Sequence, residues 1–289
     1  SFMKQLKALN CCAVYSLGIA SVYNPLLIFK IIPYLRKYDI VHVHLFPAQY
    51  WVVFAKIISF PKVQLIFTEH SSSNRRLKNI LFRFIDKYIY KFYSIIICIT
   101  QDIQKILKEH TGLYAKKLPI IENGINLSII RQSIAIEKIK INSSLDSTNK
   151  IIIQVASFNE PKDQDTLIRS MVYLPNSIKL LLIGEGALKK KCQDLVATLN
   201  LKERVFFLGL RMDVPKLLKT ADVVVLSSKY EGLSLSSIEG MASGNPFIAS
   251  DVPGLSEVVK GAGILFPIGN AKQLAKEISK LLDSPKHYQ

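Results

Sequence analysis

Two glutamates separated by seven residues, Glu231 and Glu239, are the side chains best placed to bind a polar ligand. The segment around them predicts a strand end, a loop carrying Glu231, and a helix with Glu239 in its first turns. N–H groups at a helix start bind anions, and Gly232 allows close approach to a diphosphate. Nearby carboxylates repel phosphate and instead accept hydrogen bonds from hydroxyls. The pattern predicts a nucleoside diphosphate sugar, which carries hydroxyls at both ends.

A simpler interpretation of the two acids stays open. Glu231 would then be a solvated loop residue and Glu239 a favourable acid in the first turn of a helix. Lys162 supports the ligand hypothesis, because a cation that follows a strand neutralises charge developing on a leaving diphosphate. Asp163 and Asp165 match a DxD metal motif, but acids in the first turn of a helix are expected for dipole reasons. No metal site is therefore predicted.

The first half offers histidines as further candidates. His42 and His44 are two residues apart on a predicted strand and face the same way. A zinc pair is disfavoured because no third ligand has suitable spacing, so packing or cleft-lining roles are preferred for both residues.

Short apolar, β-branched runs alternate with helical patterns from Lys150 onward, which indicates parallel βαβ units with buried strands. The first half shows a similar, less complete pattern, including a strand over Pro119–Ile121. For the uncharged stretch Ala8–Phe29 we expect a buried strand followed by a helix rather than a membrane span. The fold class is therefore α/β, with two doubly wound domains whose strand ends surround a shared cleft. We expect domains over residues 1–128 and 150–289, with a polar linker over residues 129–149.

Charge and cysteine usage limit the setting. The net charge is +16, and residues 1–148 contribute +12, with 20 Lys and Arg against 8 Asp and Glu. Such a bias attracts an anionic partner, such as a membrane surface or a lipid-linked phosphate. We see no nucleic-acid-binding motif. The four cysteines lack CxxC spacing, which favours a reduced, cytoplasmic setting.

Several linked motifs then resemble the retaining family 4 glycosyltransferases of the GT-B fold. The Glu-x7-Glu signature spans Glu231 to Glu239. Around it, in family order, stand Gly184-Glu185-Gly186, Val205 to Gly209, Ala221-Asp222-Val223 and Ser250 to Gly254. The likeness covers about Tyr38 to Leu282. It lacks the family's opening strand and Gly-rich loop, so we expect a truncated start.

The resemblance implies a role for each matching residue. Glu231 contacts donor-sugar hydroxyls, Glu239 holds the ribose, and Lys162 stabilises the leaving group. Other donor contacts are expected at Gly232, Leu233, Ser234, Ser157, Gly184 and Arg211. The family's usual Arg is replaced by Ser157, which removes one cation. His70, within Thr68-Glu69-His70, is implied as the histidine presented to the transfer site, and the acceptor side would include Glu69, Arg75, Arg76 and His44.

These features predict a glycosyltransferase that acts in cell-surface polysaccharide or glycolipid biosynthesis, and the resemblance implies that it retains the configuration at the anomeric carbon. It would need no metal or other cofactor and would take a UDP- or GDP-linked sugar. A saccharide or lipid-linked saccharide would be the acceptor at the inner membrane face, approached by the surface candidates Phe46, Tyr50, Trp51 and Phe54. Two alternatives stay open: a sugar-nucleotide epimerase of the same fold, and a non-catalytic polyanion binder.

Overall fold

The computed structural model describes residue 7 and residues 10–18, 21–70, 79–231 and 234–283. The chain forms two compact units, Ser1–Glu122 and Asn123–Gln289. Residues 129–149, which we expected as a linker, belong to the second unit. They include part of the helix Leu127–Gln132 and all of the helix Lys138–Ile141. The Ile136 N–H anchors this segment by donating to Thr220 Oγ1 at 2.8 Å.

The first unit is built on three parallel strands in the order β1-β2-β3: β1 is Ile40–His44, β2 is Gln64–Glu69 and β3 is Tyr93–Cys98. A single parallel bridge from Ile120 to Cys98 stands where a strand over Pro119–Ile121 was predicted. The described helices of the first unit include Leu27–Lys37, Ala48–Ser59, Ile80–Ile89 and Gln101–Thr111, with 3-10 turns at Tyr90–Phe92 and Ala115–Lys117.

The described part of the second unit contains six parallel strands in the order β6-β5-β4-β7-β8-β9. They are β4 (Lys150–Val155), β5 (Ile178–Ile183), β6 (Val205–Gly209), β7 (Val223–Leu226), β8 (Phe247–Ser250) and β9 (Ile264–Phe266). This is the order of a doubly wound sheet, and it reverses direction between β4 and β7. Besides the two helices named above, the helices are Gln164–Ser170, Lys189–Thr198, Val214–Thr220, Leu235–Ala242, Ser256–Val259 and Ala271–Asp283, with a 3-10 turn at Met171–Tyr173.

Burial on both faces explains the unbroken apolar runs of the second sheet. On β4, Ile152 packs into one core cluster, whereas Ile151 and Ile153 pack into a separate one. Successive side chains of a strand point to opposite faces, so each face of the sheet carries its own layer of helices. This packing holds the carboxyl ends of the strands, and the loops that follow them, in fixed positions.

Two expectations for the first unit are wrong. Residues 10–18 form no strand and are mostly exposed, because no strand of the described chain pairs with them. Tyr50 is buried and its hydroxyl donates to Asp86 Oδ1 at 2.5 Å, while half-buried Trp51 donates its Nε1–H to the Val22 carbonyl at 2.8 Å. Tyr50 therefore faces inward and is not a surface anchor, whereas Trp51 stays partly exposed beside Phe54, with ring centroids 6.2 Å apart. Phe46 and Phe54 are exposed as expected.

No helix within the described ranges has both the length and the apolar character needed to cross a bilayer.

Candidate functional site

The loops that follow β4 and β7 are joined at the point where the strand order reverses. Lys162 and Ser228 form an antiparallel bridge. On either side of it, the Asp163 N–H donates to the Ser227 carbonyl at 3.1 Å and the Lys229 N–H donates to the Pro161 carbonyl at 2.8 Å. Ligands of open α/β sheets bind at such switch points. These backbone bonds therefore fix the loop that carries Lys162 against the loop that carries Glu231.

The Lys162 ammonium group forms an ion pair with Glu231 Oε1. The lysine side chain is 15% exposed and the glutamate 10% exposed, so the pair is largely removed from water. Ser228 Oγ also donates to Glu231 Oε1, at 2.7 Å, and the Ser228 N–H donates to Ser250 Oγ at 2.9 Å. Two residues predicted separately from the sequence thus meet. Ser228, for which the sequence analysis gave no role, holds the carboxylate, and Ser250 in turn holds the Ser228 backbone.

Glu239 lies on the helix Leu235–Ala242 and is half-buried. Burial raises the pKa of its carboxyl above the usual value. Among the described residues the Glu239 side chain has no hydrogen-bond or ion-pair partner. A partly desolvated carboxylate without a partner is suited to accept hydrogen bonds from ligand hydroxyls.

The loop before this helix is described only in part. Ser234 is buried at the N-cap position with an extended backbone, and its carbonyl accepts from the Ser237 N–H at 3.1 Å and from Ser237 Oγ at 2.7 Å. Gly232 and Leu233, the other predicted donor contacts of this loop, lie outside the described residues.

Gly184 holds the loop after β5 against the loop after β4. Its φ of +139° and its close packing both require glycine, because a Cβ there would lie 2.1 Å from the Ala156 carbonyl oxygen. Ser157, the next residue, is exposed, and its carbonyl accepts from Gln164 Nε2 at 3.0 Å. No basic side chain follows β4 before Lys162, so Lys162 is the first cation of this loop.

Arg211 lies just after β6 and is held by a two-pronged contact with Asp213: its Nε and Nη2 donate to the two carboxylate oxygens at 2.8 and 2.6 Å. This pairing raises the pKa of the Arg211 guanidinium and lowers that of the Asp213 carboxyl. Asp213 therefore fixes the direction of the guanidinium group, which sequence reasoning did not anticipate.

Asp163 and Asp165 have separate structural roles. Asp163 caps the helix Gln164–Ser170, where it accepts from the Thr166 hydroxyl at 2.6 Å. Asp165 pairs with Lys191 at 3.1 Å. In the part of the chain that the structure describes, no group of three or more His, Cys, Asp or Glu side chains is arranged to hold a metal ion.

Three histidines of the first unit meet at the ends of β1 and β2. The rings of His42 and His44 lie with centroids 4.2 Å apart, so the two face the same way. His44 Nδ1 lies 3.0 Å from His70 Nε2, and His42 Nε2 lies 2.8 Å from Thr68 Oγ1. Desolvation, and secondarily repulsion from neighbouring imidazoles, lowers the pKa of His42 and of His70. The sequence reading missed the contact between His44 and His70, which the parallel register of His44 with Thr68 creates.

Glu69, in contrast, is buried, and its carboxylate accepts from the Tyr90 hydroxyl at 3.4 Å. Arg75 and Arg76, the other predicted acceptor residues, lie outside the described residues.

Cys98 is an inert core residue. Desolvation, with a smaller contribution from the Glu69 charge, raises the pKa of its thiol to about 12.

Two units with parallel α/β sheets, with a lysine and glutamates at the second unit's switch point, have the architecture of GT-B proteins. The crystal structure of Anabaena HepE in complex with UDP and glucose matches with a TM-score of 0.79 and 21% identity, over 99% of this chain and 80% of that one. The likeness confirms the GT-B fold.

The family follows from the sequence comparisons. Residues 135–289, more than half of the chain, match the family "Glycosyl transferases group 1", and residues 14–129 match "Glycosyltransferase Family 4". The chain therefore belongs to the group 1 glycosyltransferase family.

Two curated relatives illustrate the range. An uncharacterized glycosyltransferase of Methanocaldococcus jannaschii is 35% identical over 171 residues, which span 57% of this chain and 41% of that protein. The UDP-Gal:alpha-D-GlcNAc-diphosphoundecaprenol alpha-1,3-galactosyltransferase of Escherichia coli is 25% identical over 263 residues, 86% of this chain and 67% of that protein. The chain thus spans less than half of the first relative's length.

Proposed function

We propose that this chain transfers a sugar from a UDP- or GDP-linked donor to an acceptor hydroxyl, with retention of configuration at the anomeric carbon. The observation that carries the proposal is the contact between Lys162 and Glu231 at the switch point of the second sheet. A cation and an acid held together there match the two ends of a sugar diphosphate, because the cation attracts phosphate and the acid attracts hydroxyls. The donor named for the Escherichia coli relative, UDP-Gal, is of this class.

Each candidate donor-site residue of the second unit has a distinct role in this proposal. Lys162 binds the diphosphate, Glu231 accepts hydrogen bonds from the sugar hydroxyls, and Glu239 accepts them from the ribose. The helix start near Ser234 and the close-packed turn at Gly184 supply backbone groups beside the phosphates. Arg211, oriented by Asp213, borders the position of the base.

The reaction needs no protein nucleophile. The acceptor oxygen forms a bond to the anomeric carbon on the face from which the diphosphate departs, and the acceptor proton passes to the departing phosphate oxygen. Lys162 stabilises the negative charge that grows on that oxygen, which is the largest contribution such a site makes. We propose that this lysine, rather than a metal ion, supplies the charge, so that a chelator leaves turnover unchanged.

The first unit would provide the acceptor side through His70, His44, Arg75 and Arg76. Glu69, which the sequence also suggested for this side, is buried beside Tyr90 and has no acceptor contact in this proposal. The lowered pKa of His70 keeps its imidazole neutral near pH 7, and a neutral imidazole can orient an acceptor hydroxyl. We propose a saccharide or lipid-linked saccharide of cell-surface polysaccharide or glycolipid synthesis as the acceptor. The Escherichia coli relative, whose name specifies a diphosphoundecaprenol-linked sugar, supports this class.

A thermal-shift panel of UDP-, GDP- and ADP-sugars tests the donor site. One nucleotide should raise the melting temperature of the parent protein, and Glu239→Ala should remove most of that increase. Glu203→Ala, which removes an exposed acid of the same unit, is the matched control and should respond like the parent. Equal responses from parent and Glu239→Ala would show that the donor site is assigned to the wrong residues.

Product analysis then separates the enzyme classes. Transfer that requires an acceptor supports the proposal, whereas release of an altered nucleotide sugar without acceptor identifies an epimerase. If no sugar nucleotide stabilises the protein and polyanions bind with a steep salt dependence, the chain is a polyanion binder.

A further inference from the structure

The helix Ile80–Ile89 of the first unit carries large apolar side chains on its outward side as well as on its inward side. Its inward side packs into the core through Ile89, with Phe82 and Ile85 against the same cluster. Its outward side exposes Ile80 (74%), Leu81 (63%), Phe84 (61%) and Tyr88 (69%). A helix on a water-exposed surface ordinarily carries polar residues on its outer side, so a group of four large, exposed apolar side chains there is unusual.

The exposed side chains form one continuous strip. Ile80, Phe84 and Tyr88 are four residues apart, so they lie in a row along the helix, with Leu81 beside them. Phe46, which is also exposed, lies next to this helix, with its ring centroid 6.3 Å from that of Phe82. We call the four side chains of the helix the apolar strip.

Cationic side chains accompany the apolar strip. Arg83, Lys87 and Lys91 are exposed, and Lys91 Nζ lies 5.2 Å from the centroid of the Tyr88 ring. The one acid in the sequence from Asn79 to Phe92 is Asp86.

Asp86 is turned away from the apolar strip. It is fully buried, where it accepts from the Tyr50 hydroxyl at 2.5 Å and lies 2.7 Å from His110 Nε2. The outward side of the helix therefore carries the apolar strip, and all of its charged side chains are basic.

We propose that the helix Ile80–Ile89 lies flat on an anionic phospholipid surface, with the apolar strip inserted among the acyl chains and Arg83, Lys87 and Lys91 at the headgroups. Insertion removes the large apolar side chains from water, and the cations complement the negative charge of the surface. The +12 charge of residues 1–148 acts in the same direction. This inference assigns a docking surface and does not depend on the donor site.

Vesicle co-sedimentation of the full chain tests the proposal. The parent protein should bind vesicles of equimolar phosphatidylcholine and phosphatidylglycerol at least about tenfold more tightly than vesicles of phosphatidylcholine alone. Replacing two residues of the apolar strip, Ile80→Ser with Phe84→Ser, should weaken binding to the mixed vesicles by about tenfold or more. Tyr114→Ser, at an exposed tyrosine of the same unit, is the matched control and should bind like the parent.

A charge exchange tests the cations separately. Lys87→Glu with Lys91→Glu should reduce binding to the mixed vesicles by more than tenfold, because each cation near an anionic surface contributes about fivefold. Lys105→Glu with Lys108→Glu makes the same change in net charge on another helix of the unit and should have a much smaller effect. Equal losses from the two pairs would overturn the assignment to this helix.

Two further measurements complete the test. Near-ultraviolet circular dichroism and the donor-induced thermal shift should match the parent in every variant, which separates failure of this proposal from failure of the donor site. Sedimentation velocity without lipid addresses a protein partner: a parental dimer that Phe84→Ser dissociates would make the apolar strip a subunit interface and overturn the proposal. Undiminished vesicle binding by the Ile80→Ser, Phe84→Ser variant would also overturn it.

Discussion

Lys162 and Glu231 form an ion pair, and Ser228 donates to the same glutamate oxygen at 2.7 Å. Under the proposed function, a donor diphosphate competes with the carboxylate for the lysine. Lys162 would exchange one anion for another, and Glu231 would become free to accept from sugar hydroxyls. The ion pair holds the two side chains against each other.

Neutralising Glu231 should have opposite effects on binding and on turnover. In Glu231→Gln the lysine is released and one repulsive charge is removed, which is worth on the order of 1 kcal/mol. Affinity for the nucleoside diphosphate alone should rise by roughly fivefold, whereas the transfer rate should fall by about a hundredfold. Calorimetric titration and single-turnover kinetics measure the two quantities.

The control for that variant is Glu160→Gln, because Glu160 is an exposed acid that pairs with Lys229 at 3.0 Å in the same pair of loops. It should change neither quantity appreciably. A loss of diphosphate affinity in Glu231→Gln would contradict the competition between carboxylate and phosphate.

Introducing a cation at position 157 should increase the rate of sugar transfer. Ser157 is exposed directly after β4, where the resemblance to family 4 glycosyltransferases implies an Arg. A positioned cation at a developing negative charge contributes up to about a hundredfold in rate, so Ser157→Arg should raise kcat with little change in stability. Asn159→Arg places the same charge on an exposed position of the same loop and should not raise kcat. Steady-state kinetics of both variants checks the prediction, and equal gains would indicate a nonspecific charge effect.

Gly184 should be intolerant of a side chain for reasons of packing as well as conformation. In Gly184→Ala the added Cβ meets the Ala156 carbonyl oxygen at 2.1 Å, and a backbone atom cannot move aside cheaply. We expect the free energy of unfolding to fall by about 3 kcal/mol or more. Gly261→Ala also has a positive φ, +83°, but has no atom within 4 Å of the new Cβ, so it should lose only about 1 kcal/mol. Urea denaturation of both variants provides the comparison, and equal losses would exclude the packing argument.

The histidine cluster should make stability depend on pH. The folded-state pKa values of His42 and His70 lie below the ordinary 6.5. As the pH falls below 6.5, the unfolded chain takes up protons that the folded chain still excludes, so stability decreases. The loss continues until the pH reaches the lowered folded-state values, and these two groups add no further loss below them.

The difference between parent and the double variant His42→Gln, His70→Gln isolates this effect from the titration of carboxylates. The urea midpoints of the parent and of the double variant should converge as the pH falls through the acid range, because only the parent loses the stability that the two neutral imidazoles contribute. Parallel curves for the two proteins would contradict the assignment.

Regular patterns made most of the second unit predictable. The predicted alternation of buried parallel strands and helices after Lys150 agrees with the structure, because runs such as Val223–Leu226 are buried on both faces and form unbroken apolar segments. The first unit was less predictable. Residues 10–18 are apolar enough to suggest a strand, but strand formation also requires a partner for the backbone, which local sequence does not reveal.

The sequence by itself determined the alternation of elements and the α/β class, and it singled out Glu231, Glu239 and Lys162 as candidates, because these depend on local periodicity and on motif spacing. Only the tertiary structure decided which side chains meet. Glu231 joins Lys162 across 69 positions because β4 and β7 are adjacent in the sheet. Likewise, the parallel pairing of β1 with β2 brings His70 to His44, and core packing turns Tyr50 inward while leaving Phe84 exposed. Contacts between distant residues depend on strand order and helix facing, which result from packing of the whole unit.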